Sequence, residues 1–394
     1  MHMDDNKKPK LLMTASTFPR WEGDTEPRFI FDLAKSLLPY FRVTVLVPSA
    51  PKAKSREIME GVEVLRYRYF PVKRLETLCY PGAIVPRIKE KKQRGLLVPF
   101  LFLALWWKLF RIGRNYDVIH AHWLVPQGIV QGFLHKTPYI VTGHGGDVSS
   151  LNGGLFRMLK RKCLKNARCI TTVTKLQKEK INQIYPNTKT TIISMGCYID
   201  HFGKQYALDN FFKQNGKKVI LFVGRLAEIK GVTYLIEAMK QVDAKLCIVG
   251  NGPLREELEQ QAREQGDKIE FIGSKTHEEL KTVYASADLF VAPSITAKNG
   301  DVEGLSLVNL EAMASGLPVI AGALGGTGDL IQSGENGILL KEKDVDDLAN
   351  KINLLLQDHQ EYEKIVSNGL ITVAQYDYAV IGKKYADLLF KAME

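Results

Sequence analysis

At 394 residues the chain is too long for one ordinary hydrophobic core, so two domains of nearly 200 residues each are the default. With 45% hydrophobic residues and no low-complexity tract, the composition is that of a soluble globular protein. The net charge of +11 is uneven: residues 1–203 hold 33 Lys and Arg against 15 Asp and Glu, while residues 204–394 hold 21 against 28.

Such asymmetry implies that the first half meets something anionic: nucleic acid, an anionic membrane surface or a phosphate-bearing substrate. The chain has no zinc-finger spacing, no aromatic RNA-binding box and no helix-turn-helix signature, which sets nucleic acid aside. Its five cysteines (Cys79, Cys163, Cys169, Cys197, Cys247) are scattered and form no metal-ligand spacing, as expected of reduced, buried thiols in a cytoplasmic protein. The first ten residues are polar and charged, unlike a signal peptide.

Short apolar runs alternate with helical patterns from end to end. Leu11–Ala15, Val43–Val47, Val62–Tyr69, Val118–Ala121, Tyr139–Thr142 and Cys169–Val173 are the expected strands of the first half. Those of the second half are Val219–Val223, Lys245–Val249, Ile269–Ile272, Leu289–Ala292, Pro318–Ala321 and Gly337–Leu340. They are too uniformly apolar to carry a wet face, so parallel sheets covered on both sides by helices are predicted. The β-α-β-α order argues for two doubly wound α/β domains. The expected division is 1–203, 204–375 and a final helical segment 376–394.

After the first strand comes Thr17-Phe18-Pro19-Arg20-Trp21-Glu22-Gly23-Asp24, whose Arg20 and Gly23 are candidate ligand contacts. A basic run, Arg87 to Arg94, precedes the apolar stretch Leu96–Trp107. Twelve residues are too few to span a bilayer; the stretch is a buried helix, or an interfacial anchor with the basic run on anionic lipid. His120 and His122 alternate on a strand end, where structural roles are as natural as functional ones. Gly143-His144-Gly145-Gly146-Asp147 follows the next strand, and its glycines permit close backbone approach.

In the second half, Gly224-Arg225 and Lys230-Gly231 flank the turn after the first strand, where two fixed cations can neutralise a diphosphate. Gly250-Asn251-Gly252 lacks the third glycine of a dinucleotide fingerprint and is read as a turn beside a nucleotide base, with Ser274 bordering it. Glu303-Gly304-Leu305-Ser306 leads into a helix of about three turns, capped by Ser306, stopped by Gly316 and carrying Glu311. Helix N-termini favour phosphate, and a carboxylate on each side can accept from hydroxyls. A nucleotide-sugar fits that layout.

These segments resemble family-4 retaining glycosyltransferases of GT-B fold. The similarity runs from Ala121-His122-Trp123 and Thr142-Gly143-His144 through Phe222-Val223-Gly224-Arg225, Val249-Gly250-Asn251-Gly252-Pro253 and Glu303…Glu311-Ala-Met-Ala-Ser-Gly-Leu-Pro-Val, nearly the whole chain. The resemblance implies two Rossmann-like domains facing a central cleft, an N-terminal acceptor domain and a C-terminal donor domain, with the final helix returning to the first. It implies that Arg225 and Lys230 contact the diphosphate, Glu311 the ribose, and Glu303 the donor sugar. Gly304, Leu305 and Ser306 would lie along the phosphates and sugar through their backbone N–H groups. His144 would reach the donor sugar, with Asp147 on the acceptor side and Arg20 and Gly23 as acceptor or phosphate contacts. The first loop departs from the commonest family pattern and is similar to that of exopolysaccharide and lipid-linked-sugar transferases. Asp329 stands where a Glu is frequent.

The expected function is metal-independent, cofactor-free transfer of a sugar from a UDP- or GDP-linked donor to a glycan or lipid-linked acceptor, at the inner face of the cytoplasmic membrane. The alternatives are a nucleotide-sugar 2-epimerase of similar architecture and a non-catalytic membrane-associated scaffold.

Overall fold

The structure is a computed structural model that describes residues 7–394 except 25, 135, 213–215, 299, 301 and 305. The chain divides into two compact units, Met1–Met195 with Tyr378–Glu394, and Gly196–Asp377. The division falls earlier than the expected residue 203. The Cys197 N–H donates to the Tyr376 carbonyl at 3.0 Å and the Ile199 N–H to the Asp377 carboxylate at 3.3 Å. Cys197 and Phe202 are moreover buried in the second unit's core.

Among the described residues, unit 1 is built on eight strands: β1 Lys10–Thr14, β2 Arg42–Pro48, β3 Arg56–Met59, β4 Val62–Tyr67, β5 Val118–His122, β6 Tyr139–Gly143, β7 Cys169–Thr172 and β8 Thr190–Ile192. Their order is β3-β4-β2-β1-β5-β6-β7-β8, parallel except for β3, which pairs antiparallel with β4. Two of these strands, β3 and β8, escape the sequence reading. Both are short edges with exposed positions, so neither needs the apolar run that marks a central parallel strand.

The stretch expected as twelve apolar residues is part of a longer helical run. Lys92–Asn115 is 24 residues, long and apolar enough to cross a membrane by length and composition. Within it the helix Val98–Ile112 buries Leu101, Leu105 and Leu109 in the unit's core, one residue per turn. Its remaining surface carries Phe100, Leu103, Trp106, Trp107 and Phe110, from 38% to 64% exposed.

The C-terminal helix Tyr378–Met393 belongs to unit 1. Phe390 stacks on Phe41 with centroids 4.8 Å apart, and the Tyr385 hydroxyl donates to the Ile193 carbonyl at 3.2 Å.

Unit 2 has six parallel strands among its described residues: β9 Val219–Val223, β10 Lys245–Val249, β11 Ile269–Gly273, β12 Leu289–Ala292, β13 Val319–Gly322 and β14 Ile338–Leu340, in the order β11-β10-β9-β12-β13-β14. The central four present almost no exposed residue, and separate apolar clusters cover the two faces of the sheet. The helix after β12 spans Leu307–Ala314, shorter than expected. It stops at Gly316, whose φ of +69° is the left-handed conformation a terminating glycine supplies.

Candidate active site

In unit 2 the chain leaves β9 for β10 on one side and later enters β12 on the other. The loops at their C-terminal ends therefore part between β9 and β12, the usual ligand crevice of an open α/β sheet. Arg225 follows β9, Gly250 and Asn251 follow β10, Ser274 follows β11, and Glu303 lies in the loop after β12.

Lys230 closes a short 3-10 turn, Glu228–Lys230, and its ammonium pairs with Glu303 Oε1. The Ser294 hydroxyl, two residues past β12, donates to Glu303 Oε2. Each Glu303 oxygen thus holds one donor and keeps lone-pair capacity for another. Gly224 lies beneath the Lys230 side chain, with Lys230 Cε 3.5 Å from where a Cβ would stand. Arg225 is exposed, and its guanidinium makes no hydrogen bond or ion pair among the described residues.

The frame that carries these side chains is backbone packed on backbone. The Gly250 N–H donates to the Gly273 carbonyl at 2.9 Å, and a Cβ on Gly250 would stand 1.9 Å from the Gly224 carbonyl oxygen. Leu226 N–H donates to the Asn251 carbonyl at 2.9 Å, tying the two loops together. Gly325, at φ +55°, meets the Glu303 carbonyl oxygen 1.8 Å from its would-be Cβ, and Gly326 N–H donates to the Gly304 carbonyl at 3.0 Å. No side chain fits at either glycine.

Glu311 stands on the second turn of Leu307–Ala314 and accepts the Tyr284 phenol at 2.8 Å. Burial, then the Glu311 charge, holds that phenol well above its ordinary range, so it remains a donor. Ser306 has the extended backbone of an N-cap, but its side chain makes no capping bond. Its Oγ and both polar atoms of Asn309 are buried without a partner among the described residues. Leu305 lies outside the described residues. Ser274 is exposed at the end of β11.

In unit 1 the corresponding reversal lies between β1 and β5. Gln127 Nε2 donates to Ser16 Oγ at 2.7 Å and links the loops that follow those strands. The sequence places Arg20 and Asp147 on the acceptor side; the structure engages both internally. Arg20 grips Asp24 with two side-chain hydrogen bonds, at 2.8 and 2.6 Å, and lies 4.3 Å over the Trp21 ring. Asp24 is four residues away and almost wholly buried, so the guanidinium is already committed. Asp147 accepts from the backbone N–H groups of Leu124 at 2.7 Å, His144 at 3.0 Å and Gly145 at 2.9 Å. It therefore shapes the loop that carries His144. Gly23 adopts φ +81° in the first loop, with nothing within 4 Å of a would-be Cβ.

His144 is half-buried against Trp123 and Phe29, with ring centroids 5.0 and 5.4 Å away. Its Nε2 lies 3.0 Å from Nδ1 of the fully buried His122. Burial pushes His144 down to about 3; burial and then the neighbouring imidazole push His120 down to about 3. His122 falls well below its ordinary value for the same reasons, so all three rings are neutral. Trp123 holds φ +72° and ψ 137°, a strained backbone for a bulky residue.

Sequence reasoning missed Ser294, Tyr284 and Phe29. Ser294 alone left a signal, its place at the end of an apolar strand.

Comparison with known proteins covers both units. Residues 27–201 match the family described as glycosyltransferase family 4, and residues 207–370 match glycosyl transferases group 1. An uncharacterised glycosyltransferase of Methanocaldococcus jannaschii is 32% identical over 341 residues, 79% of this chain and 86% of that one. A GDP-mannose-dependent alpha-(1-6)-phosphatidylinositol monomannoside mannosyltransferase of Mycobacterium tuberculosis is 30% identical over 264 residues, 64% of this chain and 69% of its own. Among solved structures, sucrose-phosphate synthase from Thermosynechococcus elongatus shares the fold with a TM-score of 0.77 at 22% identity, covering 98% of this chain and 99% of that one. The Anabaena protein HepE, solved with UDP and glucose, has a TM-score of 0.72 at 20% identity, covering 97% and 100%.

Proposed function

The chain belongs to the glycosyltransferases, as a family 4 half followed by a group 1 half on two parallel-sheet α/β domains, and from that premise we propose that it is a retaining enzyme using a nucleotide-diphosphate-sugar. The observation that carries the donor assignment is the pairing of Lys230 with Glu303 at the β9/β12 reversal, with Arg225 open on the β9 side. Arg225 is a cation without a counter-charge among the described residues. Lys230 is held by a carboxylate that also has a hydroxyl to lean on. A diphosphate takes the Arg225 guanidinium and shares or displaces Glu303 at Lys230, which gives a doubly anionic leaving group two fixed positive partners. Glu303, so released, turns its oxygens to the sugar hydroxyls and to the positive charge growing at the anomeric carbon. Glu311, held by Tyr284, takes the ribose hydroxyls. The basic pair supplies the charge neutralisation that a metal provides elsewhere, and the reaction proceeds without one.

The acceptor hydroxyl attacks from the face the diphosphate leaves, and its proton passes to the departing phosphate oxygen, so the anomeric configuration is kept. His144 contributes a neutral ring to the sugar. A GDP-mannose-dependent relative and a fold relative solved with UDP and glucose support a UDP- or GDP-linked donor.

The acceptor is lipid-linked and the enzyme works peripherally on an anionic membrane surface. Support comes from the exposed apolar face Phe100, Leu103, Trp106, Trp107 and Phe110 beside exposed Lys89, Lys91 and Lys92. The mycobacterial relative is named for a phosphatidylinositol monomannoside acceptor.

Thermal stability is to be measured against UDP-, GDP- and ADP-sugars, followed by product analysis with the stabilising donor. A ligand at 100 times its dissociation constant adds about 2.7 kcal/mol. The α-linked product should form only when an acceptor is present. Conversion of donor alone to its 2-epimer would overturn the transferase reading, and a β-linked product would overturn retention.

A further inference from the structure

Behind His144 in unit 1 stand two further neutral imidazoles, His120 and His122, that have no part in the chemistry above. His122 Nδ1 meets His144 Nε2 at 3.0 Å, and the His120 and His122 rings lie 3.9 Å apart. His120 Nε2 meets Thr142 Oγ1 at 2.7 Å, and Thr142 Oγ1 meets Thr171 Oγ1 at 2.6 Å. Thr171 Oγ1 in turn reaches the Val141 carbonyl at 3.4 Å. Tyr385, from the C-terminal helix, closes the far end with its ring 5.1 Å from His120.

The direction of each bond follows from the atoms at the ends. A carbonyl only accepts, so Thr171 donates to Val141, Thr142 donates to Thr171, and His120 donates to Thr142 from Nε2. His120 then has a bare Nδ1, which is the nitrogen found buried and unpartnered. The same reasoning applies one ring further on. His122 Nε2 is also buried and, among the described residues, unpartnered. If His144 supplied the proton between the two rings, His122 would carry its own hydrogen on that nitrogen, an orphaned buried N–H of the kind folded proteins avoid. If His122 supplies it from Nδ1, the orphan is a lone pair, as in His120. The structure favours the second arrangement.

We propose that His122 is a positioning residue that fixes His144 as its Nδ1–H tautomer, so that His144 meets the bound sugar as a neutral hydrogen-bond donor and not as a base. This rests on the assignment of His144 to the sugar under the proposed function. The His144 Nε2 lone pair is spent on His122, which leaves Nδ1, unpaired among the described residues, as the nitrogen that can reach a ligand. Trp123 and Phe29 hold the ring plane from the side, and the three backbone bonds to Asp147 hold its main chain.

The test is nitrogen NMR of the full chain labelled in histidine, with His122→Asn and His122→Leu beside the wild type. Asn keeps an N–H donor near the position of Nδ1; Leu removes it at similar volume. The wild type and His122→Asn should show His144 protonated on Nδ1, whereas His122→Leu should shift it toward the Nε2–H form. In the transfer assay kcat should fall on the order of tenfold in His122→Leu and recover in His122→Asn. A wild-type His144 carrying its hydrogen on Nε2 overturns the proposal whether or not His122→Leu folds. So does a His122→Leu variant with an unchanged tautomer. A wild type with the Nδ1–H tautomer but no transferase turnover supports the tautomer assignment and counts against the functional reading alone.

Discussion

Tyr284 donates its phenolic hydrogen to Glu311 Oε2 over 2.8 Å, from a ring with no exposed surface. The pair links the helix His277–Ala285 to the helix Leu307–Ala314. Tyr284→Phe removes only the hydroxyl. It should cost about 1.5–3 kcal/mol of stability, the range for a hydrogen bond to a charged group. It should also weaken nucleotide binding several-fold with kcat little changed, since a ribose contact is similar in ground and transition states. Glu311→Ala should weaken binding further. Calorimetric titration with the free nucleotide checks both, and wild-type affinity in Glu311→Ala would remove the ribose role.

Arg225→Ala and Lys230→Ala should separate binding charge from structural charge. Each should lower kcat by about a hundredfold, the order seen when one donor to a developing anion is lost. Arg225→Ala should melt like the wild type, because its guanidinium has no protein partner among the described residues. Lys230→Ala should be less stable, because Glu303, with a side chain only 13% exposed, loses its counter-charge. Near-normal turnover in both variants at saturating donor would refute the diphosphate site. Activity in excess EDTA is expected to match that in its absence.

The histidine column makes unit 1 sensitive to acid. The unfolded chain protonates these rings near pH 6.5, whereas burial holds His120 and His144 down to about 3. Between those values the unfolded state binds more protons, so stability is fully present above pH 6.5 and is lost as pH falls toward 3. The slope is of the order of 1 kcal/mol per pH unit for each ring. Asp32 works the other way over part of this window, because burial raises its carboxyl to about 6 and the folded state takes its proton first. His120→Gln can still donate to Thr142 but cannot titrate. Its melting temperature should fall less steeply between pH 6.5 and 4 than that of the wild type, and an identical slope would show that His120 does not contribute.

At the proposed membrane face the structure revises which charges count. Arg87 and Arg94 both pair with Glu90, at 2.7 and 2.9 Å, so the exposed Lys89, Lys91 and Lys92 carry the attraction. Each contributes about 1 kcal/mol near an anionic leaflet. Sedimentation with phosphatidylglycerol vesicles should retain the protein at low salt and release it as the Debye length contracts to about 3 Å at 1 M. Replacing the three lysines by Ser should release it, and Leu103→Ser with Trp107→Ser should do so without changing the charge. Wild-type protein that stays in the supernatant at low salt would end the membrane proposal.

The parallel strands were legible because a strand buried on both faces can hardly be anything but apolar, as Val219–Val223 is. The loops after β9 and β10 were legible for a related reason: Gly250 and its neighbours are dictated by close backbone approach, and that leaves a mark in the residue type itself. The partners of Arg20 and Asp147 were not legible, because a charged side chain does not announce its partner. Asp24 and three backbone N–H groups claim them only once the loops have folded. Tyr284 was invisible because its partner, Glu311, lies 27 residues away on another helix, and Ser294 showed only its place after an apolar strand, not its partner Glu303.

Unit 1 is assembled from both ends of the chain, with all of unit 2 emerging from the ribosome in between. The strand that bears His120 is synthesised before unit 2, yet the ring that closes its column, Tyr385, arrives only after all of unit 2. During synthesis the second unit can fold as a complete unit while the first holds its sheet open for the helix Tyr378–Met393. The order of translation thus makes the histidine column wait on the synthesis of unit 2 before it takes its final form.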